Sequence, residues 1–186
     1  MVDIPKEIEQ YGFRIETEPH EVEKTVGRNL IILAEQCEKL LDCYEMYASS
    51  TEERFRDVAL EAMNSYLNHI TQAFRDIMAY ILINDGASAY SESLSFYVAK
   101  YFTLDINCTP EAEKAVNFLN RRNDLVHDYF NISKRNYELA RAVASYGEGF
   151  RQMAESLKEY CYLHYTGLKM DDDIKKTISG RKPKTK

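Results

Sequence analysis

The stretch TPEAEKAVNFLNRRNDLVHDYF, residues 109–130, decides how the chain is to be read. Thr109 followed by Pro110 has the form of a helix start. The hydroxyl can cap free amides, and proline's missing N–H is no loss in the first turn. Apolar residues then return in steps of four and three: Ala112, Val116, Leu119, position 123, Val126, Phe130. That is the core-facing line of an amphipathic helix running to about Tyr129. One member breaks it. Position 123 asks for Leu or Ala and holds Asn123. A buried amide without partners costs about 1–3 kcal/mol, so something polar must be built against this face.

The same period runs on both sides of this helix. Val22, Val26, Leu30, Leu33, Cys37, Leu40, Tyr44 and Tyr47 predict a first helix from about Glu21. The sequence ASST breaks it and offers Ser50 or Thr51 as the next N-cap. Phe55, Val58, Ala62, Tyr66, Ile70, Ala73, Ile77 and Ile81 predict a second helix, closed at NDG with Gly86 as a left-handed cap. A shorter third runs from about Ser91 to Phe102. Beyond FNIS, with Ser133 as N-cap, a fifth extends to about His164, and Gly147 and Gly149 are expected to loosen it midway. No strand alternation or repeat is visible. The expected architecture is all-α, an up-and-down antiparallel bundle of four to five helices.

Composition agrees. The 186 residues are 45% hydrophobic and 29% charged, with 7 Gly and 4 Pro; so few turn formers argue against a loop-rich β fold. A net charge of -6 excludes a globally basic nucleic-acid binder, though not a local patch. Cys37, Cys43, Cys108 and Cys161 form no C-x-x-C pair and have no histidine at ligand spacing, so they read as free thiols of a reducing cytoplasm, with no metal site. The polar N-terminus MVDIPKEIEQ is unlike a signal peptide. No apolar run approaches the ~20 residues that span a bilayer. Residues 1–20, with Pro5, Gly12 and Pro19, read as an irregular arm, 21–164 as the bundle, and 165–186 as a basic, disordered tail.

The polar residues of the opening stretch can be placed by helical angle. Arg122 and Tyr129 are seven apart and share a face; Asn123 and His127 are four apart and share the next. Arg122 and His127 stand about 140° apart. One straight helix cannot aim both at one ligand. Either the helix ends or bends near His127, or a second surface completes the site, which in a bundle would be a symmetry mate. A purely structural account is also open: arginine and histidine suit a last helical turn, Asp124 and Asp128 can pair with either arginine, and Asn123 can fix register.

RNDLVHDY matches R-N-x-x-V-H-x-Y. It resembles the signature of the HEPN superfamily, specifically the HepT-like toxins of bacterial and archaeal toxin–antitoxin pairs. The resemblance covers roughly residues 22–163. QAFRDIMAYILINDG is similar to the family's second helix, which tends to carry E-x-x-x-D; here Asp76 fills the Asp position and Gln72 stands where Glu is common. YSESL is also similar to family sequences.

The resemblance implies a five-helix HEPN-like bundle that acts as a homodimeric, metal-independent endoribonuclease without cofactor, with the motifs of two protomers facing one another. The residue types suit such chemistry. Cleaving RNA without a metal takes a base for the 2′-OH, a cation for the phosphorane and an acid for the leaving 5′ oxygen. His127 titrates near neutrality and can be base or acid. Arg122 offers a planar fork to phosphate, and Asn123 can orient the histidine or donate to the phosphate. One motif holds one histidine where two groups are wanted, and a dimer supplies the second.

By the same resemblance, Tyr129 accepts AMP from a partner minimal nucleotidyltransferase, the antitoxin of a type VII pair, and this silences the RNase. Asp76 is expected to support the site by pairing with Arg122 or His127, or else to serve at the surface or as a cap. His69 and His164 read as partly buried polar residues, and Tyr160, Tyr162 and Tyr165 as a helix-end packing cluster. The rival reading is a non-catalytic nucleotide- or substrate-binding subunit beside a nucleotidyltransferase; the complete motif favours the enzyme.

Overall fold

A computed structural model describes residues 19–84, 93–127 and 132–164, and the side chains of 26–84, 93–120 and 136–164. The described residues form five helices and no strand: α1 Pro19–Ser49, α2 Glu53–Asn84, α3 Leu94–Tyr101, α4 Pro110–His127 and α5 Ile132–His164. The arm before Pro19, Gly86 and its expected cap, Tyr129 and the basic tail lie outside the described residues.

Local chemistry sets several boundaries. Thr109 caps α4 as its sequence asks, its Oγ1 accepting from the Ala112 amide at 3.2 Å. Ser93 caps α3 in the same way, accepting from the Phe96 amide at 3.2 Å. Two expected caps are displaced. Ser50 accepts from the Glu52 amide at 3.2 Å, bracing the turn before α2 and leaving the cap position to Glu52. Ser133 stands inside α5, whose first residue is Ile132.

Cross-helix pairs fix the directions. His69 Nδ1 meets Gln36 Oε1 at 3.2 Å and Arg56 donates to the Tyr47 hydroxyl at 2.9 Å, so α1 and α2 are antiparallel. The Cys37 thiol donates to the Phe150 carbonyl at 3.4 Å, and Gly147 faces Leu41, so α5 runs from 147 to 150 as α1 runs back from 41 to 37 and the two are antiparallel. Phe118 stacks on Tyr146 at 4.9 Å and Thr109 bonds to Gln152, so α4 and α5 are antiparallel too. The result is an up-and-down bundle of four long helices. The short α3 lies against one end of α2, where Tyr101 packs on Phe74 at 5.8 Å and donates to Cys108 at 3.1 Å.

The core collects Leu33, Cys37 and Leu40 from α1, Met63, Ile70, Phe74 and Ile77 from α2, Ala112, Val116 and Leu119 from α4, and Phe150, Met153 and Leu157 from α5, all fully buried. Cys161 is also fully buried, while Cys43 and Cys108 are half-buried; none of the four forms a disulfide among the described residues.

Two expectations change. The glycines of α5 do not loosen it. A Cβ on Gly149 would strike the Glu111 carbonyl and come within 3.0 Å of Ala115 Cβ; one on Gly147 would meet Leu41 Cδ2 at 2.6 Å. Both positions let a neighbouring helix come close. The apolar line read for α2 also fails at its start. Ile70, Ala73, Ile77 and Ile81 are buried, but Phe55 and Val58 are 54% and 57% exposed. The line from 55 to 81 drifts about 80° around a straight helix. Its first members therefore leave the core, which Ala59, Leu60 and Met63 fill instead.

Candidate functional site

The backbone of α4 is helical from Pro110 to His127, so Arg122, Asn123 and His127 lie in its last two turns. Position 123 follows Leu119 by four and Val116 by seven residues. Both of those are fully buried, as is Ala112, and Asn123 continues their line by register. Position 122 follows Phe118 by four residues, on the line that meets α5 through Tyr146 and Phe150. By register, positions 122 and 123 thus continue adjacent lines of α4, with position 127 one turn beyond 123. Tyr129 lies outside the described residues.

The cross-helix pairs also give the site its height in the bundle. Counting on from Phe118 abreast of Tyr146, residues 122–127 run abreast of about 137–142 of α5. By the contacts of α5 with α1 and of α1 with α2, this is the end holding the C-terminus of α1 and the N-terminus of α2. At this height α5 presents Tyr137 and Arg141, both exposed and four residues apart.

Asp76 is not brought to this end. It lies on the far half of α2, beside α3, and at 1.5 Å per residue stands about 25 Å along the bundle from the motif. The reason is direction: α4 runs parallel to α1, α2 runs against both, so the end of α4 meets the beginning of α2. Within one chain Asp76 therefore pairs with neither Arg122 nor His127. Its Oδ1 accepts from Gln72 Nε2 at 2.7 Å. Burial pushes its carboxyl above the ordinary value, outweighing the Gln72 bond and the nearby Arg75 charge, which lower it. Tyr97 of α3 is raised by burial as well, with Arg75 and Asp76 acting on it in opposite directions.

Other sequence candidates take surface or packing roles. His69 and His164 are exposed, where partial burial was expected. His69 sits on the α1–α2 rim within reach of Gln36, and the His164 ring stacks on Tyr160 at 4.2 Å. Tyr160 is buried in the core and Tyr162, half-buried, packs against it at the end of α5; Tyr165 lies outside the described residues. Among the described residues, no three His, Cys, Asp or Glu side chains gather closely enough to hold a metal ion, and no helix is long and apolar enough to cross a membrane.

Comparison with known proteins found no matching family model, no similar curated protein and no similar solved structure. The site therefore stands on its residues and their register.

Proposed function

We propose that the chain is a metal-independent endoribonuclease of the HEPN type, a cytoplasmic toxin that works as a homodimer and is silenced by AMP transfer to Tyr129 from a partner minimal nucleotidyltransferase. One observation carries the reading. The sequence holds the complete R-N-x-x-x-H-x-Y spacing, whose Arg122 to His127 fall in the last turns of α4, and by register its asparagine continues a line of three fully buried residues, Ala112, Val116 and Leu119. An amide on such a line is costly unless it serves a polar neighbour. Charge-bearing Arg122 stands beside it, and His127 one turn on.

In this reading one His127 takes the proton of the 2′-OH, and its oxygen attacks the adjacent phosphorus. Arg122 spreads the added charge of the phosphorane over its fork. His127 of the partner subunit returns a proton to the departing 5′ oxygen. The products are a 2′,3′-cyclic phosphate end and a 5′-hydroxyl end.

The test is cleavage of labelled RNA by purified wild type, His127→Ala and Arg122→Ala in the presence of EDTA. Loss of a general acid–base group lowers the rate by about 10²–10⁴-fold, and loss of a transition-state cation by about 10²–10³-fold. Both variants should keep wild-type helical circular dichroism. Undiminished cleavage by His127→Ala, from a preparation free of other nucleases, removes the histidine from the mechanism.

A further inference from the structure

Three exposed apolar side chains stand at the turn end of the α1–α2 hairpin. Met46, Phe55 and Val58 are 56%, 54% and 57% exposed. The bond from Arg56 to Tyr47 sets the register there, so Met46 of α1 lies abreast of Asp57 and Val58 of α2. On α2, Phe55, Val58 and Ala62 follow at steps of three and four and form one line, about 80° off the core line at its start. Water-exposed apolar surface of this kind gains about 25 cal/mol per Å2 when covered, and nothing among the described residues covers it.

The charges beside the line say what does. Arg54 and Glu61 are both exposed and seven residues apart, on the same flank of the line, each within about 60° of Val58. Neither takes part in an ion pair among the described residues. They are opposite in sign and almost equidistant from Val58. Lay a second α2 antiparallel on the first, about a two-fold axis at Val58. Arg54 of each protomer then stands within about 1.5 Å, along the helix, of Glu61 of the partner subunit. The two-fold keeps both residues on the same flank, so the pairing occurs twice. An unrelated partner would not require charges placed symmetrically about the centre of the patch; a self-complementary, isologous contact does.

We propose that this face docks a second copy of the chain, α2 against α2 in antiparallel pairing about an axis at Val58. Phe55, Val58, Ala62 and Met46 form the apolar centre and two Arg54–Glu61 pairs form the edges. The inference deepens the ribonuclease reading, which already takes the chain to be a homodimer, by naming the face that pairs, and it rests on that reading for the demand for a second copy. It also has a geometric bearing on it: counted through the cross-helix pairs, Val58 lies at the height of residue 121 of α4. The axis therefore brings the motif-bearing helix ends of both copies to one height.

The experiment is sedimentation velocity on the full chain, with circular dichroism as the check on folding. Wild type should associate, and Val58→Glu should halve the mass of the assembly without loss of helix. Arg54→Glu and Glu61→Arg should each raise the dissociation constant about tenfold, since each turns two attractions into two repulsions. The double variant R54E/E61R restores the pairs in reverse and should return the constant to near that of wild type. A monomeric wild type overturns the proposal. So does an assembly that keeps its mass through Val58→Glu, or a double variant no tighter than the singles. RNase activity is read separately, so loss of the interface and failure of the ribonuclease reading are distinguishable.

Discussion

At the scale of single residues, Asp76 shows how burial and bonding compete. Burial raises its carboxyl above the ordinary value, and this outweighs the Gln72 bond and the Arg75 charge. A folded chain that holds the proton more tightly than the unfolded chain is stabilised by acid. The group's contribution is most favourable below the ordinary carboxylate range and is lost as pH rises through the raised folded value. At neutral pH the ionised side chain opposes folding. Asp76→Asn keeps the acceptor for Gln72 and removes the charge, so it should raise the melting temperature at pH 7 and leave it unchanged near pH 3. Thermal unfolding at the two pH values checks the sign. Tyr129 belongs to the same scale. It stands seven residues after Arg122 in the sequence. On the proposed reading, AMP on its hydroxyl brings a phosphodiester charge that competes with substrate phosphate for Arg122. Tyr129→Phe removes the oxygen and keeps the ring. Incubation with the nucleotidyltransferase and ATP should add AMP mass to wild type and none to the variant; equal addition to both would move the acceptor elsewhere, Tyr137 among the alternatives.

At the scale of helices, the contact of α4 with α5 depends on an absent side chain. Gly149 lets the Glu111 carbonyl into a space that a Cβ would occupy. Backbone gives way far less readily than a flexible side-chain tip. Gly149→Ala should therefore destabilise the fold by about 1–3 kcal/mol, even though alanine favours an isolated helix by about 1 kcal/mol. Gly147→Ala meets only the tip of Leu41 and should cost less; urea midpoints of the two variants measure the difference. These glycines also mark what the sequence left illegible. Their propensity is local and readable, so they look like weak points in α5. Their use is a crossing distance, which depends on a helix more than thirty residues away in the chain. The line read for α2 failed for a related reason. A step of three or four is visible at each turn, but the slow drift around the helix matters only once a neighbour fixes which side is the core. The α4 start at Thr109–Pro110 and the buried line Ala112, Val116, Leu119 were legible because cap and stripe lie within one helix.

At the scale of the whole molecule, helix directions decide which residues can meet. The motif was legible as a string of residue types, and its height in the bundle was not. Residue numbers gave no sign that Asp76 and Arg122 lie at opposite ends, because that follows from α4 running against α2. The same directions put the first turns of α2, with Phe55 and Val58, and the start of α5, with Tyr137 and Arg141, at the motif's end. A mutation screen for loss of function that spares the core should therefore concentrate on that end.

The four thiols give the bundle a built-in clock. Cys37 and Cys161 are fully buried and Cys43 and Cys108 half-buried. Burial and the neighbouring Glu38 hold the Cys37 thiol far above its ordinary value, so in the closed fold it has essentially no thiolate to react. An alkylating reagent can reach it only when α1 separates from α5. Labelling should be biphasic: two sites modified quickly and two slowly, the slow pair at a rate that becomes independent of reagent concentration when opening is limiting. Mass spectrometry over time reads each event. The slow phase then gives the lifetime of the α1–α5 contact in the native protein, with no denaturant and no added probe; four sites labelled at one rate would show that this contact opens as easily as the surface is reached.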